Sequence, residues 1–120
     1  GNVAGNPPAA ARAALMEDSQ IAELLPDVWF MVRGQTAAVH TAELRKEIAP
    51  EHPLYDRRGH LVVIAKCSAN DNVIVADTSD PEQFFCVHLT WARHPEAAGY
   101  PITRALRRSE LKAFFADYGQ

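Results

Sequence analysis

The sequence has little of several features that usually indicate a class of function. Only two of its 120 residues are cysteine, too few for the disulfide scaffold of a small secreted domain. No apolar run approaches the roughly 18 residues that a membrane-spanning helix needs. The net charge of −3 argues against a general nucleic-acid binder, since such domains are usually basic. The absences favour a cytoplasmic globular domain that contacts neither a membrane nor nucleic acid.

What is present fits one folded domain. Hydrophobic residues make up 48% of the chain and charged residues 22%, which are ordinary values for a globular protein. Residues 1–10 are mostly Gly, Pro, Asn and Ala, without the basic start and apolar stretch of a signal peptide. We therefore predict a flexible lead-in over residues 1–10 and a single domain over residues 11–120.

The clearest pattern lies in the middle of the chain. Residues 61–67, 72–77 and 84–91 are apolar runs rich in β-branched and aromatic residues, which predicts three strands. Short turns separate them, and short connections join antiparallel neighbours rather than parallel ones. A further strand is predicted over residues 28–33. Residues 36–40 fit either a strand or the start of a helix, and their composition favours the strand.

Three helices are predicted around these strands. The first spans residues 11–25, with a break at Asp18-Ser19, and Pro26 ends it. The second spans residues 42–49 with Thr41 as its N-cap, and the third spans residues 110–118 with Ser109 as its N-cap. One face of the third helix is apolar, formed by Leu111, Phe114, Phe115 and Tyr118. Residues 50–60 and 92–103 are expected to be irregular.

The pattern predicts an α+β fold, with an antiparallel β-meander of three to five strands and helices packed on one face. Alternation along the third strand places Phe85, Val87, Leu89 and Trp91 on the core face. The other face, with Phe84, Cys86, His88 and Thr90, is also not strongly polar. A second apolar face in so short a chain indicates cover by a partner chain, so we expect a homodimer.

No local motif indicates catalysis or cofactor binding. The sequence contains no CxxC, HxH or HExxH spacing for a metal, no GxSxG elbow, and no phosphate-binding glycine loop. The five histidines are best interpreted as surface or loop residues, and we expect no metal and no cofactor. A disulfide between Cys67 and Cys86 would depend on the strand order, which the sequence does not give.

His88 is the most informative single residue, because it lies in mid-strand opposite the core face. It either hydrogen-bonds a neighbouring strand, which is the commoner role, or serves in a cleft as a ligand-binding group or general base. Asp71 and Asp77 flank the second strand and could orient such a base, although Asp at strand ends usually serves the turn itself. Thr90 shares the face of His88.

Trp91 ends the third predicted strand next to a long loop, a position where aromatic residues often line a pocket or an interface. The same loop carries Arg93, His94 and Tyr100. With His88 and Thr90 they form our candidate binding site. A basic cluster follows in the sequence and fits either a solvated helix start or an anionic partner; its members are Arg104, Arg107, Arg108 and Lys112.

Three segments resemble a set of short uncharacterised bacterial proteins: His52-Pro53-Leu54-Tyr55, Asn70-Asp71-Asn72-Val73, and Val87-His88-Leu89-Thr90-Trp91 with Pro101 beyond it. The shared pattern, HPL(Y)G, DDV and VHLTW before a proline and an aromatic helix, covers about residues 43–118. This chain departs from it at Asp56-Arg57-Arg58-Gly59, which replaces an immediate glycine, and at Asn70-Asp71-Asn72, which replaces the acidic pair. The resemblance implies one compact domain and no particular activity.

Two functional hypotheses follow. The first is a non-catalytic binding or protein-interaction module, homodimeric and cytoplasmic, whose ligand or partner contacts the candidate site. The second is a small hydrolase in which His88 acts as general base and Asp71 or Asp77 orients it, because catalytic groups assemble in space and need no sequence motif.

Overall fold

One antiparallel sheet of five strands forms the centre of the protein. The computed structural model describes residues 19–118. The strands are β1 (Trp29–Met31), β2 (Leu61–Cys67), β3 (Asn72–Asp77), β4 (Asp80–His88) and β5 (Thr103–Arg107). Their order in space equals their order in the chain, and every neighbouring pair is antiparallel. The α+β meander expected from the sequence is confirmed.

Two α-helices pack against this sheet. Helix α1 (Gly34–Glu47) lies between β1 and β2 in the chain, and helix α2 (Leu111–Tyr118) follows β5. Two 3-10 helices, Tyr55–His60 and Arg108–Glu110, precede β2 and α2. Of the predicted N-terminal helix, residues 19–22 are helical. Residues 11–18 of that helix and the predicted lead-in lie outside the described residues.

Each face of the sheet has its own apolar core. Val63, Val75 and Phe85 point to the face that Leu44 of helix α1 covers. Ile74, Phe84 and Leu106 point to the other face, where helix α2 contributes its buried side chains. This split follows from the alternation of side chains along a strand. The predicted core face and the predicted docking of the last helix on the sheet are therefore both observed.

The second apolar face is covered by residues of the same chain. Leu111 and Phe115 of helix α2 are buried there together with Ile21 and Trp29. The ring of Trp29 makes edge contacts with the rings of Phe115 and Tyr118, at centroid distances of 5.4 and 5.1 Å. The apolar character of this face, from which the homodimer was predicted, is thus accounted for within one chain.

Helix α1 begins earlier than the sequence indicated. Residues 36–40, for which a strand was favoured, are helical, and the prediction of a strand is wrong there. Gly34, the first residue of the helix, has a φ of +56°, a left-handed conformation that glycine adopts without strain. Thr41 is therefore inside the helix and not its N-cap. Its hydroxyl oxygen accepts a hydrogen bond from the N–H of Val63, at 3.0 Å.

The region predicted as a loop over residues 92–103 ends in strand β5, which the sequence did not indicate. Strand β4 also differs, because it begins at Asp80 after a turn at Thr78 and Ser79, and ends at His88. Ser109 lies within a 3-10 turn and does not cap helix α2. At that turn the Glu110 carboxylate accepts a hydrogen bond from the N–H of Arg107, at 2.7 Å.

Candidate functional site: a loop held by two buried carboxylates

Two buried glutamates of helix α1 hold the chain where it leaves strand β4. The Glu47 carboxylate accepts hydrogen bonds from the N–H groups of Thr90 and Trp91, at 2.9 and 2.8 Å. The Glu43 carboxylate accepts one from the N–H of Arg93, at 2.9 Å. Glu43 and Glu47 are 4% and 0% exposed. We call these two carboxylates and the three N–H groups the carboxylate clamp.

The clamp holds a strained backbone. Trp91 and Arg93 have φ angles of 57° and 66°, in the left-handed region that residues with a Cβ rarely occupy. Each such residue costs about 1–2 kcal/mol. Hydrogen bonds to a charged acceptor contribute about 1.5–3 kcal/mol each, so the clamp is strong enough to offset the strain. The loop is therefore fixed in one conformation by contacts to a rigid helix.

Burial also changes the acid–base behaviour of the clamp. The pKa of Glu47 is raised to about 7, chiefly by desolvation on burial and also by the hydrogen bond with the neighbouring Glu43 carboxyl. The N–H donors of Thr90 and Trp91 act against this rise, because they stabilise the ionised form. Near neutral pH the Glu47 side chain is therefore present in both its protonated and its ionised form.

An open groove lies beside the clamp. Its volume is about 320 Å³, and it is lined by Val39, Ala42, Glu43, Lys46, Trp91 and Arg93; we call it the Trp91 groove. The half-buried indole of Trp91 packs edge-on against the ring of His40, with 5.2 Å between centroids. The Val39 side chain is 44% exposed, a large value for an apolar residue. The groove therefore presents an aromatic and an aliphatic surface to solvent.

The exposed charges around the groove are positive. Lys46 and Arg93 are both exposed, and across residues 19–118 neither forms an ion pair. The Glu43 carboxylate is buried and bonded to the loop backbone, so it offers little negative charge to solvent. Two cations that form no ion pair with any of the described residues thus flank the apolar surface.

His88 belongs to a different surface. It is exposed at the end of β4, and its Nδ1 lies 2.7 Å from the side-chain oxygen of Asn72 on β3. The Asn72 amide donates to the hydroxyl of Tyr118 at 2.9 Å, and that hydroxyl donates to Cys67 Sγ at 3.6 Å. Burial raises the pKa of Tyr118. Because the Asn72 oxygen accepts, the bonded His88 nitrogen carries the proton and its Nε2 faces away.

The two aspartates proposed as partners of His88 have other partners in the structure. The Asp77 carboxylate accepts hydrogen bonds from Ser79 N–H at 2.8 Å and from the Arg57 guanidinium at 3.2 Å. The Asp71 carboxylate is exposed and lies 3.8 Å from the Lys66 ammonium. The contacts of Asp77 stabilise the turn between β3 and β4, as expected for Asp in a turn.

The remaining candidates are spread over the surface. His94 is exposed and bonds the carbonyl oxygen of Pro95, at 2.9 Å, and Tyr100 is 48% exposed further along the loop. In the basic cluster, Arg107 and Arg108 pair with acidic residues at the start of β4, and Arg104 lies over the ring of Phe114. The structure thus brings Thr90, Trp91 and Arg93 together and places His88, His94 and Tyr100 elsewhere.

Sequence analysis missed Glu43 and Glu47. One signal was present: like charges four residues apart destabilise an exposed helix, and this pair flanks the apolar Leu44. Burial explains why the two glutamates stand four residues apart on this helix, because each carboxylate accepts hydrogen bonds from the loop backbone. The sequence alone does not show that these N–H donors lie nearby.

No group of His, Cys, Asp and Glu side chains within residues 19–118 has the arrangement of a metal site. In the same part of the chain, no helix is long and apolar enough to cross a membrane. Comparison of the chain with models of protein families, with curated proteins and with solved structures finds no match. The evidence for function is therefore the geometry of the site itself.

Proposed function

We propose that this protein is a non-catalytic binding module that recognises its partner through the Trp91 groove. One observation carries the proposal: a strained loop is held in place by two buried carboxylates and presents a half-buried indole beside the exposed Val39. Strained backbone of this kind concentrates at functional sites, because the rest of the fold must stabilise it.

The chemistry around the groove favours binding over catalysis. Both oxygens of Glu47 accept backbone hydrogen bonds, so this carboxylate is engaged in holding the loop. Trp and Arg are the residue types most enriched among those that dominate binding energy at interfaces. A groove with Trp91 and Arg93 on a fixed loop matches that pattern.

The hydrolase hypothesis remains the alternative. In its favour, the Asn72 oxygen orients the His88 ring and leaves Nε2 toward solvent. Against it, the contacts of Asp71 and Asp77 are to other residues. His88→Ala separates the two hypotheses, because a hydrolase with this base loses turnover of ester substrates, whereas binding at the Trp91 groove is unchanged.

A homodimer in the cytoplasm is part of the same proposal. Both cysteines are unpaired thiols, which fits a reducing compartment. Exposed apolar side chains on the edge strand β1 and the segment before it, Phe30 at 43% and Val28 at 36%, give a second copy an apolar contact. Sedimentation equilibrium between about 5 and 500 µM tests the dimer, and one monomeric species over that range contradicts it.

The binding site is tested with a library of random twelve-residue peptides displayed on phage. After selection on the wild-type protein, the amide resonances of the 15N-labelled protein are followed as a selected synthetic peptide is added. We expect the shifts to concentrate at Val39, Lys46 and residues 90–93. Val39→Ser weakens binding, and Ile102→Ser, the corresponding change at an exposed aliphatic residue outside the groove, leaves it unchanged. No selected binder, or shifts centred elsewhere, contradicts the proposed function.

A further inference from the structure

We infer that the partner of the Trp91 groove is an acidic protein segment carrying an apolar side chain. The inference rests on the proposed function and deepens it, since it states the chemical class of the occupant. The argument uses the shape of the groove, its apolar surface, and the charge of its rim.

The apolar surface sets the first requirement for a partner. The Trp91 indole is half-buried and fixed from behind by the His40 ring, while its outer part is exposed beside Val39. Covering exposed apolar area contributes about 25 cal/mol per Å², so an aliphatic or aromatic side chain gains most from this position. Because the backbone of Trp91 is held by Glu47, little conformational entropy is lost when the site is occupied.

The rim sets the second requirement. Lys46 is on helix α1 and Arg93 is on the clamped loop, so the two cations border the groove from different elements. Neither has an ion-pair partner within residues 19–118. Carboxylates next to the apolar anchor of a partner would pair with both. The whole chain has a net charge of −3 and so does not attract polyanions in general. The two cations at the rim attract acidic groups only near the groove.

The shape of the groove favours a protein segment over a small molecule. The groove is open along one side and lies between the exposed face of helix α1 and the loop. Sites for small ligands are usually concave and enclose 70–90% of the ligand surface. An open groove cannot enclose a small molecule in that way, but it can accept one or two side chains of a segment that continues over the surface.

The composition of the peptides selected from the phage library tests the inference. We expect Asp and Glu to be enriched on either side of an aromatic or large aliphatic residue. The double variant Lys46→Glu/Arg93→Asp should select peptides with Lys and Arg at those positions. Aspartate is chosen at position 93 because it tolerates a positive φ better than most residues.

Affinity of the wild-type protein for one selected acidic peptide gives the second measurement. The double variant should bind that peptide about five- to tenfold more weakly, the size expected for two ion pairs at an open surface. Lys112→Glu, which makes the charge change of Lys46→Glu alone at an exposed lysine of helix α2, should leave the affinity unchanged. Raising the salt concentration should weaken the wild-type interaction and leave that of the double variant nearly constant.

The outcomes separate this inference from the proposed function. Selected peptides that bind at the groove but are neutral or basic overturn the acidic partner and leave the binding module standing. A loss of affinity with Lys112→Glu equal to that with Lys46→Glu alone also overturns it, since the effect would then come from net charge. If no peptide is selected, both the inference and the proposed function fail.

Discussion

At the scale of single residues, the clamp explains why two carboxylates are buried in a small domain. A carboxylate accepts several N–H hydrogen bonds in a compact space, which no neutral side chain of similar size achieves. Both oxygens of Glu47 are used in this way. Burial of the charged form still carries a cost, which the raised pKa of Glu47 reflects.

Replacing one carboxylate with its amide should show the strength of the clamp. In Glu47→Gln the amide nitrogen faces a backbone N–H, so one hydrogen bond is lost and two donors oppose each other. We expect the free energy of unfolding to fall by about 1–3 kcal/mol in urea denaturation at pH 5.5. Glu51→Gln, at an exposed position, should change it little. Equal stability of the two variants would show that the clamp contributes nothing.

The raised pKa of Glu47 makes stability depend on pH. The pKa lies above its ordinary value of 4.5, at about 7, in the folded state. Between these values the unfolded chain loses a proton that the folded chain keeps. The stabilisation is therefore complete below pH 4.5 and is lost as pH rises through 7. The stability difference between wild type and Glu47→Gln should shrink by on the order of 2 kcal/mol over that window. A constant difference contradicts this assignment.

The positive φ of Arg93 predicts an unusual response to substitution. Arg93→Gly should keep or raise the free energy of unfolding by up to about 1 kcal/mol, because glycine adopts this conformation without strain. Arg93→Val should lower it by about 1–2 kcal/mol, since β-branched residues fit this region poorly. Thermal unfolding of the two variants measures the contrast, and a more stable valine variant contradicts the observed backbone.

At the scale of elements, strands β1, β2 and β3 could be predicted, whereas the edge strand β5 and the start of helix α1 could not. The strands β2 and β3 match their predicted bounds because both are apolar runs flanked by turn residues. Helix α1 was missed over its first half because His40, the one buried residue among residues 34–40, is polar. That half therefore lacks the apolar period that marks a helix.

Strand β5 was missed for a related reason. Leu106 is its one buried residue, and the strand lies at an edge of the sheet and carries two exposed arginines, Arg104 and Arg107. Charged residues on an edge strand keep it from pairing with other chains. They also interrupt the alternation of apolar and polar residues by which a strand is recognised in a sequence. A strand of this kind is recognised by its pairing with the neighbouring strand β4, which only the folded structure shows.

Docking of helix α2 should depend on one aromatic residue more than on the other. Phe115 is 3% exposed and packs with Trp29, whereas Phe114 is half-buried. Phe115→Ala should lower the free energy of unfolding by about 3–5 kcal/mol, and Phe114→Ala by clearly less, because the cost follows the buried volume removed. Chemical denaturation measures both. A larger effect at Phe114 would contradict the packing of this helix.

At the scale of the whole molecule, half of the site followed from the sequence. Thr90, Trp91 and Arg93 were named because they follow a strand, and the structure places them together. Their partners on helix α1 are more than 40 residues earlier in the chain, as the bond from Arg93 to Glu43 illustrates with a separation of 50. No local pattern encodes a contact of that range, so only tertiary structure reveals the clamp.

The two tryptophans allow a test of whether both layers unfold together. Trp29 is in the core beneath helix α2, and Trp91 packs against the core beneath helix α1. Because the same strands supply both cores, we expect one cooperative transition. Trp29→Phe and Trp91→Phe each leave one fluorescent reporter, and within each variant the fluorescence midpoint should coincide with that of circular dichroism at 222 nm. Separate midpoints would mean that the layers are independent.

The sequential strand order has a consequence for synthesis on the ribosome. Contacts between successive strands close with little loss of chain entropy, so residues 61–107 can assemble as soon as they emerge. Strand β1 and helix α1 emerge earlier, yet both need β2 as a platform. Newly made chains therefore expose Trp29 and Leu44 until β2 has been synthesised. Slow translation of the residues between helix α1 and β2 should favour aggregation or capture by chaperones.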